Sequence, residues 1–418
     1  MRPRCLICSY DSAPIVERIM GLIEQLKPHF EIFCLVQFPE TLKTFEALGV
    51  ESFLYRDALG WEHGNLKRLS LSDNDTFDTY ETRHYGNHLD WEKLHASITR
   101  HAAEVIESLG VDTIFLWNGH TEPMTSLREA AVHAECQVFF LERGFFPNSL
   151  FIDPVGTNAK ASIAHRTTFN DKEAQLGATI QTLFKNSYQP IVKGRYDHTS
   201  QTQWSNDSSK YLFIEQVDHD TNIVLFCDKF NSNISAIQHY ERTIPECSNN
   251  LLIKRHPENT HLKEPIPYDR YHESGRTPLQ SLLLEADCIL TRNSSVGLEG
   301  LIFDKPVAVL GTSIYSRYAF NMAKTSKPGP LPQRPGKLEG DFLGFLGELF
   351  LRHHIFTGQH EYPSTEALAI IVQSAKPKPR KGPRGSRRLF WRHPVLKQLG
   401  VARWSVTLAL RSWRSKER

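Results

Sequence analysis

The segment that most constrains this chain is 286–311, ADCILTRNSSVGLEGLIFDKPVAVLG. Residues 288–291 are an apolar run of strand length. The run breaks at Arg292-Asn293-Ser294-Ser295, after which Val296, Leu298, Leu301 and Ile302 recur at helical spacing. Lys305-Pro306 stops that helix, and 307–310 reads as the next buried strand. A strand–turn–helix–strand unit of this kind belongs to a doubly wound α/β sheet, whose ligands lie at the carboxyl ends of the strands. Ser294 or Ser295 is the predicted N-cap, with free N–H groups beside it facing an anion. Glu299, one turn in, is placed to accept hydrogen bonds from the ribose of a nucleotide. An ordinary capped helix would use the same serines. Upstream, 251–257 (LLIKRHP) is a second apolar strand that ends in His256-Pro257 at the same edge. Two strand ends aimed at one crevice favour a nucleotide site.

The remaining periodicities predict more of the same architecture. Residues 5–9 and 32–36 read as strands around a helix over 13–26, with Ile15, Ile19, Leu22 and Leu26 on one face. This opening has no Gly-x-Gly-x-x-Gly turn and gives no warrant for a dinucleotide site. Residues 56–87 read as loops. A helix is expected over 91–109, with Leu94, Ile98, Ala102, Val105 and Leu109 as its buried stripe. A strand over 113–117, a helix over 125–134 and a strand over 137–141 follow, the last ending in Glu142-Arg143-Gly144. Alternation of this kind implies parallel strands with right-handed crossovers. The stretch after Glu142, with Pro147, Asp153-Pro154 and Gly156-Thr157-Asn158, reads as irregular. Helices are expected over 168–183, 234–244, 278–285, 342–353 and 366–374, and a strand over 211–214. The division that follows is an amino-terminal domain over 1–197, a polar linker over 198–210 and a carboxyl-terminal domain over 211–375.

Composition fits a globular protein, with 40% hydrophobic and 23% charged residues. No apolar run is long enough to span a bilayer and no secretion signal is read at the start, so a cytoplasmic location is expected. Seven cysteines, mostly in predicted strands, read as reduced, buried thiols. Cys5 and Cys8 have zinc-like spacing, but no second pair follows and their side chains point to opposite faces of a strand, so no metal is expected.

The net charge of +2 hides a division. Residues 376–418 carry 14 Lys and Arg against one acidic residue, Glu417, which leaves the body with 35 basic and 46 acidic residues, a net −11. The first part of this tail is rich in Pro, Gly and Arg and cannot bury a core. The second part sets Trp391, Trp404 and Trp413 among Leu, Val and Arg, which reads as an interfacial helix on anionic lipid. A solvated tail or a polyanion binder is the plainer alternative; nucleic acid is not the expected partner.

Glu142, Asp220 and His256 all stand where strand ends should meet a cleft. Transfer from a nucleotide-activated donor to a hydroxyl needs a site for the leaving phosphate, a base for the acceptor and, for retention through a covalent step, a carboxylate nucleophile. Lys254, Arg255, His256 and the Ser294-Ser295 turn suit the phosphate, Glu142 the base and Asp220 the nucleophile. Each has a bland alternative: a surface pair for Glu142-Arg143, a polar turn for Asp218-His219-Asp220, a helix cap for His256.

These residues resemble the capsule polysaccharide biosynthesis family. The resemblance rests on Lys-Arg-His-Pro, Thr-Arg-Asn-Ser-Ser-Val-Gly-Leu-Glu-Gly-Leu, Leu-Glu-Arg-Gly-Phe-Phe-Pro-Asn, Asp-Pro-Val-Gly-Thr-Asn-Ala and Gln-Val-Asp-His-Asp. Within the family the similarity is to retaining β-Kdo glycosyltransferases that use CMP-Kdo. It covers about 118–311; Glu215 and the tail depart from the pattern. The resemblance implies a GT-B architecture, two Rossmann-like doubly wound domains facing a central cleft, with CMP-sugar on the carboxyl-terminal domain. It further implies Asp220 as nucleophile, Glu142 as acceptor-side acid/base, His256 as donor ligand, and Asn293, Ser294, Ser295 and Glu299 as nucleotide contacts. A lipid or polysaccharide acceptor at the inner membrane face is expected, with no cofactor beyond the donor. The competing expectations are a transferase or epimerase for another nucleotide sugar, and a non-catalytic export or scaffold protein.

Overall fold

The computed structural model describes residues 2–10, 12–61, 90–187, 209–256, 272–273, 279–325, 327–329, 337–375 and 377. The expected linker, apart from Ser209 and Lys210, and the basic tail, apart from Pro377, lie outside them, as does Pro257. The strands are β1 (Arg4–Cys8), β2 (Glu31–Val36), β3 (Glu51–Leu54), β4 (Thr113–Trp117), β5 (Gln137–Arg143), β6 (Ser149–Asp153), β7 (Tyr211–Ile214), β8 (Leu251–Lys254), β9 (His272–Glu273), β10 (Cys288–Thr291), β11 (Val307–Val309), β12 (Phe320–Asn321) and β13 (His354–Phe356). They fall into a seven-stranded and a six-stranded sheet, and the chain forms two compact units.

In the first unit, β4, β1, β2 and β3 lie side by side in that order, all parallel. The helix Trp91–Leu109 shows how closely local chemistry sets its ends. Asp90 accepts a hydrogen bond from the Lys93 amide at the start, and Gly110, at φ 61°, closes the far end. Leu94, Ile98, Ala102, Val105 and Leu109 are all buried, as their spacing predicts. The helix Pro39–Ala47 and β3 were not read from the sequence.

In the second unit, the six-stranded sheet runs β12-β11-β10-β7-β8-β9, with parallel pairing throughout. Both faces are covered, and successive residues of β7 show it. Leu212 and Ile214 pack with Leu298, Leu301 and Phe345, whereas Tyr211 and Phe213 pack with Ala236, Ile237 and Tyr240. Alternate side chains feeding two separate cores is the signature of a doubly wound sheet.

The expectation of parallel strands throughout fails at one place. β5, β6 and β13 pair antiparallel. β6 lies in the stretch expected to be irregular, because Pro147, Asn148 and Pro154 frame and disguise the short apolar run Ser-Leu-Phe-Ile-Asp. Only 144–148 separate β5 from β6, too few residues for a crossover, so the chain must turn back.

The helices Asp171–Ser187 and Lys337–His353 touch at backbone distance. A Cβ at Gly177 would overlap the Leu343 carbonyl, and one at Gly347 the Glu173 carbonyl. Arg166 pairs with Glu173 at 2.8 Å and also with Glu348, tying the two helices. Among the described residues, no helix is long and apolar enough to cross a membrane.

Candidate functional site

The carboxyl ends of β7, β8, β10 and β11 share one edge of the second sheet, because those strands are parallel and adjacent. That edge brings together Asp220, Lys254, Arg255, His256, Asn293, Ser294, Ser295 and Glu299. Its framework comes from the two buried polar residues that follow β7, Glu215 and Gln216. The Glu215 carboxylate accepts the His256 amide at 3.1 Å, and Glu215 donates its own amide to the Lys254 carbonyl. The Gln216 side chain accepts from the Asn293 amide at 3.0 Å and from the Thr291 hydroxyl at 3.1 Å, and donates to Asn293 Oδ1 at 3.0 Å. One dipeptide thereby links the ends of β8 and β10.

Arg292 is fully buried. Its guanidinium donates to the Gln216 carbonyl at 2.8 Å and to Asn233 Oδ1 at 2.9 Å, and it pairs with Asp218 at 2.8 Å. Burial pulls its pKa down and the Asp218 charge opposes that shift. Asn293 is equally committed. Its Nδ2 donates to the Asn222 carbonyl at 2.8 Å and its Oδ1 is taken by Gln216. The expected nucleotide contact is thus a residue whose amide is bonded inside the protein.

The cap falls on one of the two serines expected there, but the bonding is divided between them. Ser295 occupies the cap position in helical conformation, with no side-chain cap bond; it is the Ser294 hydroxyl that accepts the Val296 amide, at 3.3 Å. The Ser294 carbonyl takes the Gly297 amide at 2.9 Å and the Tyr315 hydroxyl. Gly297 has no room for a Cβ beside that hydroxyl. These first amides are spent within the turn, and the helix Val296–Ile302 has only seven residues. Hydroxyl and basic side chains, rather than a helix dipole, are what this edge offers an anion. A serine hydroxyl that accepts one bond still has a proton to donate.

Lys254 is buried at the end of β8, and desolvation lowers its pKa to about 8. Arg255 and His256 are half-buried beyond it. Asp220 is exposed. It caps the helix Thr221–Phe226, its Oδ1 accepting the Asn222 amide at 2.7 Å. Glu299 is half-buried in the helix Val296–Ile302, and its charge, after burial, helps push the Tyr315 phenol up.

Glu142 is carried by β5. It stands within that strand rather than beyond its end, opposite Phe151, half-buried, with Oε1 accepting the Arg143 amide at 2.9 Å. The strand end next to it is held from two sides. Gly144 donates its amide to the Ser149 carbonyl at 3.0 Å, and the Phe145 amide donates to His354 Nε2 at 3.0 Å. Asp153, of the Asp-Pro-Val-Gly motif, accepts from Val155, Gly156 and Ser162 amides and pairs with His353 at 3.2 Å.

Sequence reasoning missed Glu215 and Gln216 as framework and Arg292 as a buried anchor. The available signal was a Glu-Gln pair directly after four apolar residues, and an arginine directly after another four.

Residues 164–327 match the sequence profile of the capsule polysaccharide biosynthesis protein family. The chain is 26% identical over 280 residues to protein FixF of Sinorhizobium fredii, an alignment covering 62% of this chain and 64% of FixF, less than two thirds of that relative. It is similar to the β-Kdo 2,7 transferase KpsC of Thermosulfurimonas dismutans, at 14% identity and TM-score 0.47, covering 89% of this chain and all of that one. It is also similar to the β-Kdo 2,4 transferase KpsC of the same organism, at 17% identity and TM-score 0.43, covering 56% of this chain and 79% of the other. A UDP-GlcNAc 2-epimerase from Neisseria meningitidis matches at 14% identity and TM-score 0.31, over 88% of this chain and 98% of its own. The two Rossmann-like sheets agree with the fold class expected from the residues. The matched region takes in Asp220, His256, Ser294, Ser295 and Glu299, and over residues 164–327 this chain is similar to the capsule polysaccharide biosynthesis proteins.

Proposed function

We propose that the chain is a retaining glycosyltransferase of capsule or surface polysaccharide biosynthesis, moving Kdo from CMP-Kdo to a lipid or glycan acceptor. The observation that supports it most is the carboxyl edge of β7, β8 and β10. There a capping carboxylate, an imidazole, two basic side chains and two serine hydroxyls are gathered on one polar framework.

In the first displacement the Asp220 carboxylate bonds to the anomeric carbon while the bond from that carbon to the CMP phosphate breaks, the electron pair leaving with CMP. His256, Lys254, Arg255 and the Ser294-Ser295 hydroxyls take up the phosphate charge. A phosphate beside Lys254 favours its charged form, opposing the desolvation that lowers it. In the second displacement Glu142 takes the acceptor hydroxyl proton, the acceptor oxygen bonds to the anomeric carbon, and the ester to Asp220 breaks. Inversion at each step returns the original configuration. Charge stabilisation by fixed donors supplies the leaving-group assistance.

A nucleotide panel in thermal-shift assays tests the donor. CMP raises the melting temperature and UDP does not; stabilisation by UDP alone overturns the assignment in favour of another nucleotide sugar. The basic, Trp-bearing segment 376–418 is proposed to hold the enzyme at the inner membrane face. Deleting it abolishes binding to anionic vesicles while transfer to a soluble acceptor persists; full vesicle binding by the truncated chain overturns that role.

A further inference from the structure

We infer that Arg292 and Asp218 are a positioning pair that sets Asp220 for attack on the donor, an inference that rests on the reading of Asp220 as nucleophile. Asp218, His219 and Asp220 form an exposed turn after β7. A carboxylate on such a turn has no packing to hold it within the fraction of an ångström that displacement demands. The turn is gripped instead from two consecutive residues at the end of β10.

On one side of Asp220, Arg292 pairs with Asp218 at 2.8 Å, and the same nitrogen bonds the Gln216 carbonyl and Asn233 Oδ1. On the other side, Asn293 Nδ2 bonds the Asn222 carbonyl at 2.8 Å. The residues two before and two after Asp220 are therefore both anchored to the Arg-Asn dipeptide. Between the anchors, the Asp220 amide donates to the Val217 carbonyl at 3.0 Å and its carboxylate accepts the Asn222 amide at 2.7 Å. The motif Arg-Asn-Ser-Ser divides by task. Arg292 and Asn293 hold the nucleophile turn, and Ser294 and Ser295 are left for the donor. Arg292 has no exposure, whereas the Asp218 side chain is 48% exposed, so the pair connects the interior to the turn at the site.

The test follows covalent adduct formation from CMP-Kdo by intact-protein mass spectrometry in the full chain, alongside CMP affinity. Asp218→Ala lowers the adduct rate at least tenfold, with CMP affinity within about twofold, a misplacement of about 1 Å being worth up to about 100-fold. Asp218→Asn keeps the shape and one acceptor for Arg292, and its rate falls between the two, a partial rescue that simple unfolding would not give. A wild-type rate in Asp218→Ala overturns the inference while leaving the nucleophile reading intact. So does a loss of CMP affinity in step with rate, which marks the pair as part of nucleotide binding. Absence of adduct in the wild-type protein overturns the nucleophile reading and the inference with it.

Discussion

Glu215 accepts the His256 backbone amide at 3.1 Å, so a buried carboxylate just after β7 holds the backbone of His256 just beyond the end of β8. Glu215→Ala removes that acceptor and leaves the His256 amide without it. The expected loss is about 1–3 kcal/mol of stability, read by urea unfolding, together with weaker CMP binding. Unchanged stability and unchanged affinity would contradict the framework role.

His95 sits between two carboxylates, 2.6 Å from Glu122 and 2.6 Å from Glu129. Burial opposes its protonation, but hydrogen bonds and charge from Glu122 and Glu129 prevail and push its pKa up to about 9. The folded pKa lies above the ordinary 6.5, so the folded chain binds the proton more tightly between those values. The stabilisation is complete below about pH 6.5 and is lost as pH rises through about 9. Denaturant unfolding at pH 6 and pH 9 checks this. The wild-type protein loses about 1–2 kcal/mol more over that interval than His95→Gln does.

Gly177 sits where the helices Asp171–Ser187 and Lys337–His353 touch, and a Cβ there would overlap the Leu343 carbonyl. Because that obstacle is backbone, relief requires the helices to separate. Gly177→Ala lowers stability by about 1–3 kcal/mol, measured as a fall in melting temperature. Gly340→Ala, where a Cβ meets nothing within 4 Å, serves as the control.

Elements whose own residues carry their period were legible in the sequence: the helices Ala13–Leu26 and Trp91–Leu109 and the strand β10 stand where spacing placed them. β6 escaped because its identity depends on pairing with β5, and its flanks carry turn residues. β5 runs two residues further than expected, since Glu142 and Arg143 are held in the ladder opposite Phe151 and Leu150 by backbone bonds that no side-chain pattern announces. The candidate edge of the second sheet was legible as a set of strand ends, because parallel strands must share an edge, whereas Glu142 lies within β5 of the other sheet. The division of labour within it was not. Whether Asn293 faces a ligand or the interior is decided by Gln216, 77 residues away, and the fate of Arg292 by Asp218 and Asn233. Local capping rules placed the turn at the serines, but did not show that the Ser294 hydroxyl accepts the Val296 amide while Tyr315, 21 residues on, bonds the Ser294 carbonyl.

The most direct measurement is peptide mapping by mass spectrometry after brief incubation with CMP-Kdo. The account predicts one Kdo-sized addition, localised to the carboxylate of Asp220, absent in Asp220→Ala and longer-lived in Glu142→Gln when acceptor is present. An enzyme that transfers Kdo with no such addition, or that carries it on another residue, would contradict it.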